Sequence, residues 1–271
     1  MILRRDYLKL SEEELKVFNK YKFDNRIQDE NGKLIMPKPY SLDDFQPGYV
    51  YKHDCLFPNH NISYSDIEDD KPWFEQNLEG FKKVLNDKST TEKHLLSYLR
   101  DNKGAFIITS ILRHTDFGHH ERFIFPEFYL ADHYKVDFLI VGRASGGYRF
   151  LFVELENPYG QITTEKGEFS IAINKGIKQV KDWKRWVPKN FNSIQQTLKK
   201  YKGPNKEFSK EFYELDIDRL YYMVIAGRRT DYNDLSNQIR RELSENGERI
   251  KVLHYDNLTD AAEKIIGSNA W

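Results

Sequence analysis

The sequence lacks several features on which other classes of protein depend. Its 271 residues include one cysteine, Cys55, so no disulfide can form within the chain and a thiolate metal cluster is excluded. No stretch approaches the ~20 apolar residues of a membrane span. The first residues carry no apolar signal segment, so we expect a soluble cytoplasmic protein that does not enter a membrane. Neither GxxxxGK[S/T] nor GxGxxG occurs, which leaves nucleotide hydrolysis and hydride transfer without support.

Net charge of either sign is also missing. Lys and Arg number 42 and so do Asp and Glu, which excludes a uniformly basic coat for nucleic acid and an acidic tail, but not a local basic patch. Aromatic residues make up 14% of the chain, enough to build a core although 31% of residues are charged. Turn-forming residues dominate residues 24–72, so we predict a small irregular N-terminal region over residues 1–85 and a folded domain over residues 86–271.

Helical and strand patterns alternate in the second part of the chain. Two apolar runs, 136–143 and 148–156, are joined by a Gly-rich turn and predict a β-hairpin. The remaining patterns predict helices over 71–85, 91–102, 168–187, 234–246 and 257–266, and strands over 123–130, 220–229 and 250–256. This order predicts an α/β fold with a mixed central sheet that is flanked by helices.

Acidic residues gather at one end of the predicted hairpin. A two-residue turn at Ser145-Gly146 places Asp137 opposite Glu154 and Lys135 opposite Glu156. Like charges on opposed residues destabilise a sheet, so the pattern predicts that something positive lies between them. Hard divalent cations bind carboxylate oxygens and suit this role. Alternatively, Asp137 is solvated at a strand end and Lys135 pairs with Glu156 at the surface.

Glu92 has two interpretations. It begins the apolar stripe of the helix over 91–102, so its carboxylate could reach an interior site beside the hairpin. Ser89-x-x-Glu92 also has the spacing of a capping box, in which Glu92 would only stabilise the start of that helix.

A basic segment follows the hairpin. Residues 175–206 contain ten Lys or Arg residues and one acid, with aromatic residues between them. This composition suits a phosphate backbone with stacking surfaces, and a solvated lysine face is the alternative. The residues expected to contact nucleic acid are Lys175, Lys178, Lys181, Trp183, Lys184 and Arg185. Gln179 lies one turn before Trp183 and could hold a water or a phosphate oxygen, or be an ordinary surface residue.

The ordered set of these motifs resembles a known family of nucleases. Asp137, Glu154-Leu155-Glu156 and Gln179-x-x-x-Trp183 are similar to the core of PD-(D/E)XK nucleases. The longer context resembles the Shedu antiphage nuclease family over residues 88–265. The segments that carry this likeness are TEKHLLSYLRDN, VDFLIV, FVELENP, IKQVKDW, VIAGRR and LHYDNLTDAAEKI.

The resemblance implies a restriction-endonuclease-like fold and a role for each acidic residue. Asp137 and Glu154 would bind Mg²⁺, for which Mn²⁺ would substitute, and Glu92 would supply a further acid from its helix. Gln179 would be the helix glutamine of the family. Glu156 stands where the family pattern often has lysine, which leaves either Glu156 or Lys135 to act on the water.

We therefore expect a Mg²⁺-dependent deoxyribonuclease, an endonuclease that hydrolyses phosphodiester bonds of DNA. The resemblance also implies antiphage defence and a homo-oligomer, a dimer or a tetramer. One alternative is an inactive nuclease-fold module that binds nucleic acid or a protein partner. Another is a phosphodiesterase that acts on RNA or nucleotides with the same site.

Overall fold

A five-stranded mixed sheet forms the centre of the protein. The structure is a computed structural model, and it describes residue 3 and residues 5–24, 48–245 and 248–267. The strands lie side by side in chain order, antiparallel from β1 to β3 and parallel from β3 to β5. They are β1 Glu121–Leu130, β2 Tyr134–Ala144, β3 Gly147–Leu155, β4 Leu220–Ile225 and β5 Ile250–Leu253. The predicted α/β architecture with a mixed sheet is confirmed.

Helices cover both faces of the sheet. The first six are α1 Glu12–Asp24, α2 Gly48–Asp54, α3 Tyr64–Asp69, α4 Lys71–Asn86, α5 Glu92–Asp101 and α6 Ala105–Thr109. The remaining four are α7 Ile171–Trp186, α8 Phe191–Lys199, α9 Asp234–Glu245 and α10 Tyr255–Ile266. Every helix in the described ranges is too short or too polar to cross a membrane.

The hairpin has the predicted register. Its pairs run from Ala144 opposite Gly147 to Phe138 opposite Val153, so Asp137 and Glu154 come next beyond the last paired residues. Gly147 has φ +98°, which glycine adopts without strain and which allows the tight turn. Both faces of the ribbon are apolar because the sheet is buried on both sides.

Two hydrophobic cores sandwich the sheet. One core joins Phe150 and Phe152 of β3 to α7 and α8 through residues such as Val180 and Trp183. The other joins Val153 of β3 to α4, α5, α6 and α10. The end of β3 therefore lies between two packed layers, which hold its last residues in place.

Part of the predicted N-terminal region packs into the same cores. Phe57 contributes to the core that contains α7, and Phe74, Leu78 and Leu85 of α4 contribute to the other. Ser11 caps α1, since its hydroxyl accepts the Glu14 N–H at 3.2 Å. Residues 25–47, which belong to the predicted irregular stretch, lie outside the described residues.

Candidate active site

Glu154 and Glu156 are buried charged residues at the carboxyl end of β3. Glu154 is 5% exposed and Glu156 is 3% exposed. The Glu156 N–H donates to the Ile225 carbonyl at 2.8 Å. This bond extends the pairing with β4 to the residue that follows the last residue of β3. The Tyr255 hydroxyl donates to the Glu156 carbonyl at 2.7 Å. The backbone that bears both glutamates is thus fixed from the sheet and from α10.

Asp137 joins them from the neighbouring strand. Its Oδ2 accepts the Leu155 N–H at 2.8 Å, so the aspartate bridges β2 and β3 beside Glu154. Glu92 comes from the start of α5, and its charge acts on the pKa of each of the other three acids. We call Glu92, Asp137, Glu154 and Glu156 the carboxylate cluster.

The cluster is electrostatically strained. Burial, followed by the charges of the other acids, raises the pKa of Asp137 to about 7 and that of Glu154 to about 10. Burial also raises the pKa of Glu92 and of Glu156. Glu154 Oε2 and Glu156 Oε1 are buried and have no hydrogen-bond partner in the described part of the chain. Groups of this kind are costly to bury unless a cation or a donor reaches them.

Glu92 does not form the capping box that Ser89 and Glu92 suggest. Thr91 precedes the first residue of α5, and its N–H donates to His94 Nδ1 at 3.2 Å. The Glu92 N–H donates instead to Asn157 Oδ1 at 2.9 Å. Capping does not engage the Glu92 carboxylate, which is half-buried.

The cation beside Glu156 differs from the expected one. Lys135 does not pair with Glu156, because its ammonium binds Glu127, which lies on the neighbouring strand β1. Lys175, in the second turn of α7, lies with its Nζ 3.6 Å from Glu156 Oε1. Its charge also lowers the pKa of Glu92 and Glu154. The surface pairing of Lys135 with Glu156 was wrong because β1 supplies a nearer carboxylate.

Gly176 allows α7 to lie directly against the cluster. A Cβ atom at this position would sit 2.9 Å from Glu156 Cγ and 3.1 Å from Val224 Cγ1. Sequence reasoning missed this residue, although a glycine inside an apolar helical stripe is a recognised sign of close approach. Asn157, which holds Glu92, was also missed.

Trp183 and Gln179, two other α7 residues predicted to belong to the site, differ in their exposure. Trp183 is 0% exposed in the core against the sheet, so the expectation that it contacts nucleic acid was wrong. Its place in the stripe with Ile177 and Val180 explains this burial. Gln179 is half-buried one turn beyond Lys175.

The basic side chains of α7 are not equally available. Lys178 is exposed. Lys184 donates to the carbonyl of Glu248 at 2.8 Å and to its carboxylate at 2.9 Å. Arg185 binds Asp182 on the same helix, and Lys181 is half-buried. Lys178 is therefore better placed than Lys184 to meet a phosphate.

The donor chemistry of the cluster fits a hard divalent cation. Carboxylate oxygens are ligands that Mg²⁺ prefers, and the buried Glu154 Oε2 and Glu156 Oε1 have no hydrogen-bond partner among the described residues. Over the described ranges, however, no group of three or more His, Cys, Asp or Glu side chains is arranged so that it could hold a metal. Binding a cation would thus require the carboxylates to turn toward one another.

The chain matches the model of a known protein family. The family model, described as Shedu protein SduA, C-terminal, matches residues 55–259. This range is most of the chain and includes every residue of the carboxylate cluster. No curated protein matches the chain.

Proposed function

The chain belongs to the Shedu family through the C-terminal region of SduA, and from this premise we propose that it is a metal-dependent DNA endonuclease in antiphage defence. One observation carries the proposal: Glu154 and Glu156, two buried glutamates at the end of β3, each have an oxygen without a hydrogen-bond partner in the described part of the chain, and the half-buried Asp137 lies beside them. A fold gains no stability from such a cluster in the absence of a cation, so its value is functional.

The residues that would hold Mg²⁺ are Asp137, Glu154 and Glu92. The chemistry that Mg²⁺ supplies when bound is a lowered pKa for a ligated water and stabilisation of the charge on the phosphate. Mn²⁺ would substitute because it accepts the same oxygen ligands. The raised pKa values of these acids mean that loading the site releases protons.

The remaining residues would act on the water and on the DNA. The water oxygen bonds to phosphorus as the bond from phosphorus to one sugar oxygen breaks. Glu156 takes the proton of the attacking water, and the departing sugar oxygen takes a proton from bulk water. Gln179 would orient the water, and the basic side chains of α7 would position the phosphate backbone without reading bases.

Cleavage of linear and supercoiled DNA with Mg²⁺ or Mn²⁺ tests the proposal. Wild type is compared with Asp137→Asn and Glu154→Gln, which keep the shapes of the side chains and remove their charge. Metal-dependent cutting that both variants lose supports the nuclease. Absence of cutting by wild type, together with no thermal stabilisation by Mn²⁺, would overturn it.

A binding module is the second candidate, and one observation favours it. The described carboxylates are not gathered as a ready ligand set. Such a module would bind DNA or a protein without cutting. Its thermal stability would not respond to Mn²⁺, which separates it from the nuclease.

A further inference from the structure

Lys175 occupies an unusual position for a lysine on a basic helix. Its Nζ lies 3.6 Å from Glu156 Oε1, whose side chain is 3% exposed, while 66% of the Lys175 side chain remains exposed. The lysine therefore reaches from solvent to a buried acid. At 3.6 Å it forms an ion pair longer than a hydrogen bond, so its N–H donors can turn to another acceptor.

Charge counting shows why the cluster needs this ammonium. Once a divalent cation has displaced the protons of the cluster, its four carboxylates and a phosphodiester would carry five negative charges, of which the cation offsets two. Like charges a few ångströms apart repel strongly near a protein surface. A phosphate that approaches the cluster would meet strong repulsion unless a further positive charge stood beside it. Glu156 cannot supply that charge.

Contact between α7 and β3 fixes the place of Lys175. Gly176, the next residue, leaves room for the helix to approach Glu156 and Val224 closely. The backbone of Glu156 is itself held by Ile225 and Tyr255. The ammonium is thus delivered to the cluster by a rigid helix–sheet contact, whereas Lys178, one turn further along, is exposed.

We propose that Lys175 is a catalytic residue, whose ammonium moves from Glu156 to a non-bridging oxygen of the scissile phosphate and stabilises the negative charge that develops there. This inference rests on the proposed nuclease function and differs from a role in DNA affinity alone. The lysine neither gives up nor takes a proton in the step. Release of Glu156 by the ammonium frees that carboxylate to accept the proton of the water.

Single-turnover cleavage at saturating DNA tests this inference in the whole 271-residue chain. Lys175→Ala is compared with Lys175→Arg, which keeps the charge, and with Lys264→Ala, an exposed lysine on α10. DNA affinity is measured separately with Ca²⁺ in place of Mg²⁺, and Mn²⁺ affinity by titration without DNA. We expect Lys175→Ala to cleave ~10²–10³-fold more slowly, as when one donor to a developing oxyanion is removed.

The other readouts separate catalysis from binding. Lys175→Ala should raise the Kd for DNA less than about threefold and leave Mn²⁺ binding intact or tighter, because a competing cation has gone. Lys175→Arg should recover part of the rate, and Lys264→Ala should match wild type. Wild-type cleavage by Lys175→Ala at saturating DNA, with weaker DNA binding, would overturn the inference and leave the nuclease standing. Failure of wild type to cut DNA, together with no thermal stabilisation by Mn²⁺, would overturn both.

Discussion

The Glu92 N–H donates to the side-chain oxygen of Asn157 at 2.9 Å. This bond joins the first residue of α5 to the residue that follows Glu156. Asn157 also accepts the Gly227 N–H at its carbonyl, at 3.1 Å, and so links the loop after β4. One amide side chain therefore fixes Glu92 relative to the other members of the carboxylate cluster.

Asn157→Ala should weaken both the fold and the site. Loss of this hydrogen bond should lower the free energy of unfolding by about 1 kcal/mol. It should also lower Mn²⁺ affinity, since Glu92 is no longer held beside the cluster. Asn157→Asp keeps an acceptor for the Glu92 N–H and should retain the stability. Denaturant unfolding and Mn²⁺ titration measure the two effects, and unchanged Mn²⁺ affinity in the alanine variant would contradict the positioning role.

Gly176→Ala should destabilise the protein although alanine favours helices. The exchange gains up to about 1 kcal/mol of helix propensity, but the new Cβ would lie 2.9 Å from Glu156 Cγ. Overpacking of this kind costs about 1–3 kcal/mol. The free energy of unfolding from urea titration should therefore fall.

A double-mutant cycle isolates the cause of that loss. Glu156→Ala removes the atoms that the new methyl group meets, so Gly176→Ala should cost less, or even stabilise, in the Glu156→Ala background. Equal costs in the two backgrounds would assign the loss to Val224 or to the helix rather than to Glu156.

In metal-free protein, Asp137 should contribute to the pH dependence of stability. Its pKa is raised to about 7 in the folded state, from 3.8, so the folded protein keeps a proton that the unfolded chain releases above about pH 4. Unfolding then releases a proton, and Asp137 lowers stability progressively as the pH rises from about 4 to about 7. The slope is at most about 1.4 kcal/mol per pH unit for one proton.

Comparison of wild type with Asp137→Asn separates the contribution of Asp137 to the pH dependence from that of the histidines. Burial lowers the pKa of His60 and His254 to about 4, so they contribute stability that is lost as the pH falls from about 6.5. These histidines are common to both proteins. The stability of Asp137→Asn relative to wild type should rise with pH between 4 and 7, as followed by urea unfolding. A constant difference would refute the raised pKa of Asp137.

Local sequence rules were sufficient to predict the register of the hairpin, but not the contact between Lys175 of α7 and Glu156. A short turn and two apolar faces fix the register of β2 and β3, so the neighbouring positions of Asp137 and Glu154 follow from the sequence. The contact of Lys175 with Glu156 depends on how α7 docks after the loop that leaves β3. No spacing rule within one element determines that docking.

Two predictions were wrong although the sequence contains the pattern that gives the right answer: the role of Trp183 and the omission of α8. Trp183 belongs to the apolar stripe of α7, and this period predicts burial more directly than it predicts a stacking surface. In α8, Phe191, Ile194 and Leu198 recur at helical spacing and indicate a helix that the prediction left out.

DNA affinity should depend on Lys178 more than on Lys184. Lys178 is exposed, whereas Lys184 is bound to the carbonyl and the carboxylate of Glu248. In a Glu154→Gln background, in which we expect no cutting, Lys178→Ala should raise the Kd for DNA. It should also reduce the slope of log Kd against log salt concentration by about 0.9, because one phosphate contact is lost. Lys184→Ala should change this slope less.

The salt slope distinguishes a phosphate contact from a general loss of structure. Unfolding would weaken DNA binding at every salt concentration without removing one counterion from the slope. Lys264→Ala on α10 serves as the matched loss of an exposed lysine and should leave the slope unchanged. An equal change for Lys178→Ala and Lys264→Ala would place the DNA away from this face of α7, because long-range charge alone would then account for the effect.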